Sequence, residues 1–368
     1  MSAESFGRNV ISVNLFLLKF SGIIPSKTTL LLNIEWTNLL AIISFFSLTI
    51  YSITYTYEFV KIVNTIHVDI ALEFFSMIIS LIGGQARYII LLIKRDKFLR
   101  MLNVCENLWI ELDKSEKHFV HENNQNETVQ RNLPYAFIIE VHESPYFEIA
   151  YVFQLSSMIN VGLTCVGVDT VGPVLILIAC GHLKVIQNKM LSLNEDTKSE
   201  FIEEKDYVDF HQSIVLKDVQ IKLDNCINYH ITILEFCKNI EELTNIMFLT
   251  QLIGSTYNIS LVGFKLAGDD PDKYKYTTQV LIAVIQLFLC NWPPDVLLFE
   301  TVAIANSTYS VPWYNYSTKL RRSLNIIIMR SQRAVRLTAG KFTSLSLETF
   351  ASMISTAASF FTVINSMN

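Results

Sequence analysis

The chain has 368 residues, of which 51% are hydrophobic, 12% are aromatic and only 17% are charged. Because soluble domains carry about 25% charged residues, this composition excludes a soluble globular enzyme and indicates a polytopic membrane protein. The formal net charge of −5 also argues against nucleic acid as a partner.

Six apolar segments are candidate membrane helices, since about 20 mostly apolar residues are needed to cross the hydrocarbon of a bilayer. In chain order they are residues 36–57, 68–93, 146–186, 243–264, 277–299 and 345–367. The third segment is too long for one simple span. It is either one helix that projects well beyond the bilayer or a hairpin of two spans. The hairpin would join 146–166 to 171–190 through Gly167, Asp169, Gly172 and Pro173.

The distribution of Lys and Arg among the loops bears on the number of crossings. With six crossings, the basic residues of the loops divide equally between the two sides of the membrane. One further crossing between residues 117 and 131 would place 21 of them on the side of the N-terminus and 5 on the other side. That asymmetry is expected for a cytoplasmic N-terminus and an extracellular C-terminus. Residues 118–132 are too polar to provide the crossing, so the loops fit seven helices whereas the spans number six.

The last span carries a periodic row of hydroxyl side chains. Spacings of three and four residues place on one helix face Ser352, Ser355, Ser359, Thr362 and Ser366. Such a row can line a water-filled path that larger apolar side chains close by dewetting. The alternative is that these small polar residues only allow close packing of helices in lipid.

Two ionisable residues lie within the predicted spans. Arg87 is near one end of the second span, where its side chain can reach the membrane interface. Asp169 lies in the middle of the long segment, and it is either buried against a partner or marks the turn of the hairpin.

No motif of catalysis is found. The sequence has no phosphate-binding loop, nucleophile elbow, HExxH or dinucleotide fingerprint, so we predict no enzyme activity and no cofactor. His118 and His121 have a spacing seen in metal sites, but no other ligand lies near them in the sequence, so we predict no metal.

The last hundred residues contain an ordered series of short motifs. They are 309–314 (YSVPWY), 319–322 (KLRR), 329–332 (MRSQ), 337–342 (LTAGKF) and 345–350 (LSLETF). This series closely resembles the C-terminal signature of insect odorant receptors. Weaker similarity to the same family occurs at 22–25 (GIIP), 133–135 (LPY), 144–146 (SPY) and 180–182 (CGH).

The resemblance implies an all-α, polytopic bundle of seven membrane helices in the family, with about six evident here. It implies an odorant-binding bundle over 1–300, to whose cytoplasmic anchor region 187–242 contributes. A cytoplasmic anchor segment would follow over 301–342 and a pore-lining helix over 343–368. The third helix of the family precedes the LPY motif, where this chain has only the polar residues 111–132. We therefore favour a lost third helix, through a truncated gene model or a real deletion, over the hairpin.

The resemblance also implies a function. The chain would be the odorant-binding subunit of a ligand-gated, non-selective cation channel in the plasma membrane of olfactory sensory neurons. It would assemble with the co-receptor of the family as a heterotetramer in membrane lipid. The seventh helix lines the pore in this family, which puts an apolar gate at Val363 and Met367. The same alignment puts pore-lining hydroxyls at Ser359, Thr362 and Ser366.

Before the pore helix, residues 319–340 are basic and periodic, and we expect a helix of the cytoplasmic anchor that ends at Gly340. Small volatile hydrophobic ligands need a mostly apolar cavity with few polar groups. Depth within the second span and the long segment selects as ligand-binding candidates Phe75, Ser76, Tyr151, Gln154 and Met158. Ordinary contacts between helices are the alternative role for these five residues.

Two other classes of membrane protein are considered. A G-protein-coupled chemoreceptor is opposed by the cytoplasmic N-terminus and by the lack of an Asp-Arg-Tyr motif at a third helix and of Asn-Pro-x-x-Tyr in the last helix. A transporter is opposed by the lack of an internal repeat and of paired broken helices.

Overall fold

The computed structural model describes residues 15–19, 21, 23–24, 36–63, 68–112, 146–200, 208–267 and 273–366. After a short helical segment at 15–19, the helices are α1 (Trp36–Val63), α2 (Val68–Ile93), α3 (Arg95–Leu112), α4 (Tyr146–Glu200), α5 (Val208–Ala267) and α6 (Lys273–Tyr309). A 3₁₀ turn (Trp313–Asn315), α7 (Thr318–Ser331), β1 (Thr338–Ala339), β2 (Thr343–Ser344) and α8 (Leu347–Ser366) complete the described chain.

The helical class predicted from the sequence is confirmed, because the described residues of all six apolar segments are helical except 345–346. By length and composition, three helices of the described chain, α4, α5 and α6, can cross a membrane. The number becomes four if α2 and α3, which meet at a bend of 71°, form one broken span. The polar segment at 118–132, with His118 and His121, lies outside the described residues.

The long apolar segment is one continuous helix, so the alternative of a hairpin is wrong. α4 has 55 residues, and at 1.5 Å per residue it is about 80 Å long, far more than a bilayer needs. The expected turn residues serve packing instead. A Cβ at Gly172 would lie 2.6 Å from Cζ of Phe248, so the missing side chain permits the close approach of α5. Pro173 lies inside the helix without ending it.

The contacts of the chain define two compact units. Unit 1 consists of Met1–Val171, Thr250–Gln286 and Ile354–Asn368, and unit 2 consists of Gly172–Leu249 and Leu287–Met353. Four helices, α4, α5, α6 and α8, contribute residues to both units. The functional segments expected at 1–300, 301–342 and 343–368 remain predictions.

In unit 1, the segment before α1 is anchored to α2 and α3. The hydroxyl of Tyr88 donates a hydrogen bond to the carbonyl oxygen of Ser21 (2.8 Å), and Nε of Arg95 donates to that of Ile23 (2.8 Å). Leu18 and Ile23 are completely buried. The apolar side chains of this segment therefore pack against the helices.

In unit 2, polar side chains join α4 to α5 and α6. Nδ1 of His182 lies 2.7 Å from the hydroxyl of Tyr229 on α5. On α6, Glu300 accepts a hydrogen bond from Nε2 of Gln187 (2.9 Å) and forms an ion pair with Lys184 (3.3 Å). These contacts fix the three helices against one another within this unit.

The basic helix expected over 319–340 is shorter than predicted. α7 ends at Ser331, and Gly340 does not terminate it. Gly340 instead lies in the turn between β1 and β2 with a φ of +58°, and Lys341 follows at +65°. The reason is a long-range contact, because the amide of Gly340 donates to the carbonyl oxygen of Asn245 on α5 (2.8 Å). We call residues 338–344 the clamp hairpin.

Candidate ligand cavity and pore helix

Unit 1 contains a cavity of about 280 Å³ among α2, α4, α5 and α6. Its apolar wall includes Met77, Leu81, Val262 and Ile282. Nearly half of the lining residues are polar or charged, more than expected for a purely hydrophobic pocket. They are Ser80, Arg87, Asp169, Gln251, Ser255, Asn258, Gln279 and Gln286.

A buried ion pair forms part of the wall. Nε of Arg87 donates to Oδ1 of Asp169 at 2.8 Å, and Nε2 of Gln286 donates to Oδ2 at 3.1 Å. The Arg87 side chain is therefore paired within the bundle and 9% exposed, and the expectation that it reaches the interface is wrong. The expectation that Asp169 is buried against a partner is confirmed.

Two amide groups complete the polar part of the cavity. Nε2 of Gln251 donates to Oγ of Ser255 at 3.0 Å, and Nε2 of Gln279 lies 3.9 Å from the sulfur of Met77. The Oε1 atoms of both glutamines are buried and have no hydrogen-bond partner in the described part of the chain. On the same wall, Asn258 donates to the hydroxyl of Ser80.

The ligand-binding residues predicted from depth lie elsewhere. Among the four whose side chains are described, none lines this cavity. Phe75 stacks on Phe59 at 5.7 Å between ring centroids. Gln154 is completely buried, whereas Tyr151 is half-buried and Met158 is exposed. The side chain of Ser76 is outside the described set. The five residues remain a prediction.

Apart from Arg87 and Asp169, which stood out as ionisable residues within the spans, the cavity residues were missed although the sequence carried a signal for those on α5. Gln251, Ser255, Asn258 and Val262 are spaced by four, three and four residues, which places them on one face of α5. The same periodicity predicts the hydroxyl row of the last span. The spacing does not predict which neighbouring helix packs against this face.

α8 has one packed face and one exposed face. Ala357 is 1% exposed, and its carbonyl oxygen accepts a hydrogen bond from Oγ of Ser260 on α5 (3.4 Å). Ser359 and Thr362 are exposed, and 56% of Val363 is accessible. The exposed face therefore carries hydroxyls together with an apolar side chain at the predicted gate.

The hydroxyls of this face also bond to their own helix. Oγ of Ser359 donates to the carbonyl oxygen of Ser355 (2.9 Å), and Oγ1 of Thr362 lies within hydrogen-bond distance of that of Ala358 (3.0 Å). A hydroxyl that donates in this way keeps its capacity to accept hydrogen bonds. The Ser366 side chain and Met367 lie outside the described residues.

Comparison with known proteins identifies the family. The sequence model of the 7tm Odorant receptor family matches residues 119–358, well over half of the chain. The chain belongs to this family of odorant receptors. Family membership and the long apolar helices support a multi-pass membrane protein. The family is one of receptors rather than enzymes.

Similar proteins are known in flies and mosquitoes. Odorant receptor 13a of Drosophila melanogaster is 26% identical over 236 residues, which cover 60% of this chain and 53% of the relative. Odorant receptor 10 of Aedes albopictus is 22% identical over 247 residues, covering 64% and 60%. The chain thus spans about half the length of the curated relatives it matches.

Solved structures confirm the fold. The insect olfactory receptor OR5 from Machilis hrabei in complex with eugenol superposes with a TM-score of 0.69 at 13% identity, over 98% of each chain. The same receptor described without eugenol gives a TM-score of 0.69 at 15% identity over the same shares. The fold of this odorant receptor is therefore that of a known insect olfactory receptor.

Proposed function

We propose that this odorant receptor is the odorant-binding subunit of a ligand-gated, non-selective cation channel. It assembles with the co-receptor of the family as a heterotetramer in the plasma membrane of olfactory sensory neurons. Its N-terminus is cytoplasmic and its C-terminus extracellular. The observation that carries the proposal is the exposed face of α8, where hydroxyls and Val363 lie on a helix that packs through Ala357 on α5.

In this arrangement α8 lines the pore. Ser359, Thr362 and Ser366 offer hydroxyls to a hydrated cation, and Val363 and Met367 form the apolar constriction that closes by dewetting. No acidic residue follows Glu348 in the described part of α8, and hydroxyls coordinate cations weakly, so the pore discriminates poorly among them.

The ligand binds in the membrane-spanning bundle. Residues of four helices line the cavity of unit 1, and small-molecule sites commonly lie between the helices of a bundle. The second set of candidates is the one selected by depth on α2 and α4, namely Phe75, which stacks on Phe59, with Ser76, Tyr151, Gln154 and Met158.

The assignment of α8 to the pore is tested by shortening a side chain at the proposed gate. In cells that co-express the co-receptor, Val363→Ala should raise the leak current or alter ion selectivity, because a smaller side chain dewets the constriction less. Whole-cell recording without and with ligand measures both. Val166→Ala is the matched control, since Val166 on α4 is similarly exposed at 54%.

Unchanged leak, selectivity and dose response in Val363→Ala, with normal surface expression, would remove this side chain from the gate. A leak that rises equally in Val166→Ala would assign the effect to general loosening of the bundle.

A further inference from the structure

We propose that the junction between α6 and α7 binds a nucleoside triphosphate, with the phosphates on two arginines and the base on exposed aromatic rings. A cavity of about 560 Å³ opens at this junction. Its volume lies within the range of about 300–1,000 Å³ that is usual for small-molecule sites. All of its lining residues belong to unit 2, whereas the candidate odorant cavity belongs to unit 1. The chemistry of the two walls also differs.

Two arginines of α7 give this wall its charge. Thr318, Arg321, Arg322 and Asn325 line the cavity, and their spacings of three and four residues place them on one face of the helix. The four side chains are exposed, so a ligand can reach them. No acidic residue is among the described residues of this wall. A ligand with two or more negative charges therefore matches it.

The arginines have donors to spare. Nη2 of Arg321 lies 3.5 Å from Oγ1 of Thr318, which is a long and weak contact. Arg322 has no hydrogen bond or ion pair within the described chain. A guanidinium presents five N–H donors in a planar fork that fits two oxygens of a phosphate. Most of these donors are available to a bound phosphate.

Aromatic rings from the end of α6 and from the 3₁₀ turn line the same cavity. Tyr309 is 67% exposed and Trp313 is 40% exposed, and their ring centroids are 6.5 Å apart. A nucleobase stacks on such a ring whatever its sequence of donors and acceptors, because every base has a π-face. Inorganic phosphate or an inositol phosphate would leave both rings unused. The combination of rings and arginines thus favours a nucleotide.

The turn that carries Trp313 is fixed by its own contacts. Val311 and Tyr316 lie on either side of it and are nearly completely buried. The amide of Tyr316 donates to the carbonyl oxygen of Trp313 (3.2 Å), and Oγ of Ser317 accepts from the amide of Leu320 at the start of α7. Since the site is preformed, little ordering is needed when a ligand binds.

The position along α6 favours a soluble nucleotide over a lipid headgroup. The predicted span ends at residue 299, and Tyr309 lies ten residues further along the helix, about 15 Å beyond that end. In the proposed orientation this end of α6 is cytoplasmic, where nucleoside triphosphates are abundant. Only this source of the ligand depends on the proposed function, since the cavity and its side chains do not.

The experiment measures binding of ATP to the purified full-length receptor in detergent. ATP should raise the melting temperature progressively with its concentration, because it binds the folded state. Equilibrium dialysis with radiolabelled ATP gives the Kd. Arg321→Gln and Arg322→Gln should each weaken binding about tenfold or more, since each removes a charge-assisted hydrogen bond to phosphate. Arg333→Gln is the matched control, because Arg333 is exposed and outside this wall, and its Kd should be unchanged.

A further pair of probes tests the stacking. Tyr309→Leu should weaken binding of ATP about tenfold but leave binding of inorganic tripolyphosphate unchanged, because tripolyphosphate has no base. Trp313→Leu makes the same test if Tyr309→Leu does not fold. Inositol trisphosphate, the soluble form of a lipid headgroup, should displace ATP poorly. If tripolyphosphate or inositol trisphosphate binds as tightly as ATP, the rings take no part and the nucleotide assignment is overturned.

Two other outcomes would also overturn the assignment: no binding of ATP at millimolar concentration, or an equal loss of affinity in Arg333→Gln. The channel function is measured separately, by currents evoked with odorants. Binding of ATP to a receptor that gives no current would support the nucleotide site and count against the channel. Odorant-evoked currents from a receptor that binds no ATP would support the channel and overturn the nucleotide site.

Discussion

Arg87 and Asp169 bring two full charges into the interior of a helical bundle. Removing either ion from water costs several kcal/mol, and their attraction offsets this only when geometry and further hydrogen bonds are favourable. Here the distance is 2.8 Å and Gln286 donates to the second carboxylate oxygen. Each ion is therefore tolerated only in the presence of the other.

Removing one charge of the Arg87–Asp169 ion pair should destabilise the protein more than removing both charges. Asp169→Asn leaves the guanidinium uncompensated and should destabilise the protein by about 3–5 kcal/mol, whereas Arg87→Gln with Asp169→Asn should recover much of the loss. The measurement is the surface fraction in cells and the melting temperature of the solubilised receptor. Additive losses in the double variant would show that the pair is not coupled.

Gly340 has a backbone conformation that favours glycine. Its φ of +58° is in the left-handed region, and a Cβ there would lie 2.5 Å from Cδ2 of Leu249. Gly340→Ala should therefore cost about 1–2 kcal/mol in backbone strain alone, plus the overlap with Leu249. Thermal unfolding of the solubilised receptor measures the change.

Gly181→Ala is the control for Gly340→Ala. Gly181 lies inside α4, and a Cβ at this position meets nothing within 4 Å. In a helix this substitution should stabilise by about 0.5–1 kcal/mol. If the two substitutions shift the melting temperature in the same direction, strain at Gly340 is not the cause of its effect.

At the scale of elements, the clamp hairpin is held on α5 through two positions one helical turn apart. The Glu241 carboxylate accepts hydrogen bonds from the amide (2.8 Å) and the hydroxyl of Thr338, and the Asn245 carbonyl oxygen accepts from Gly340. The hairpin immediately precedes α8, so these bonds fix where the proposed pore helix begins.

Glu241→Ala should release the hairpin. The Thr338 amide would lose a charge-assisted bond worth about 1.5–3 kcal/mol, and hydrogen exchange of residues 338–344 should accelerate roughly 10- to 100-fold. Glu235→Ala, on the same helix, is the control. Protection of the hairpin that is equal in the two variants would contradict the assigned role of Glu241.

Local sequence predicts where most helices lie but not all of their boundaries. The helices were predictable because long apolar runs select helix in any membrane bundle. For α4 the sequence alone left the hairpin open, and only the family resemblance favoured the single long helix that the structure has. The end of α7 at Ser331 was missed, because the residues that follow are held on α5 by the hydrogen bond from Gly340 to Asn245. Likewise, spacing predicts the hydroxyl row on α8, whereas the cavity depends on how four helices are rotated.

For the whole molecule, the charge asymmetry of the loops predicts the orientation. A tag at the N-terminus should stain only permeabilised cells, and a tag at the C-terminus should stain intact cells. Immunofluorescence with both tagged forms makes the measurement. N-terminal staining of intact cells would reverse the topology and favour a G-protein-coupled chemoreceptor.

The predicted loss of the third helix has its own measurement. Residues 113–145 lie between α3 and α4 and outside the described residues. If the gene model is truncated, sequencing of the antennal transcript across residues 94–151 should show an additional apolar segment of about 20 residues. A transcript identical to this sequence would leave a real deletion.

On α5, Asn258 lines the cavity and Ser260 bonds to the backbone of α8. These positions are two apart in the sequence, so they lie on nearly opposite faces of one helix. In the proposed channel, the same helix would thus carry the wall of the ligand site and the support of the pore helix. A substitution on α5 that changes the preferred ligand is then expected to change the concentration at which the channel opens as well.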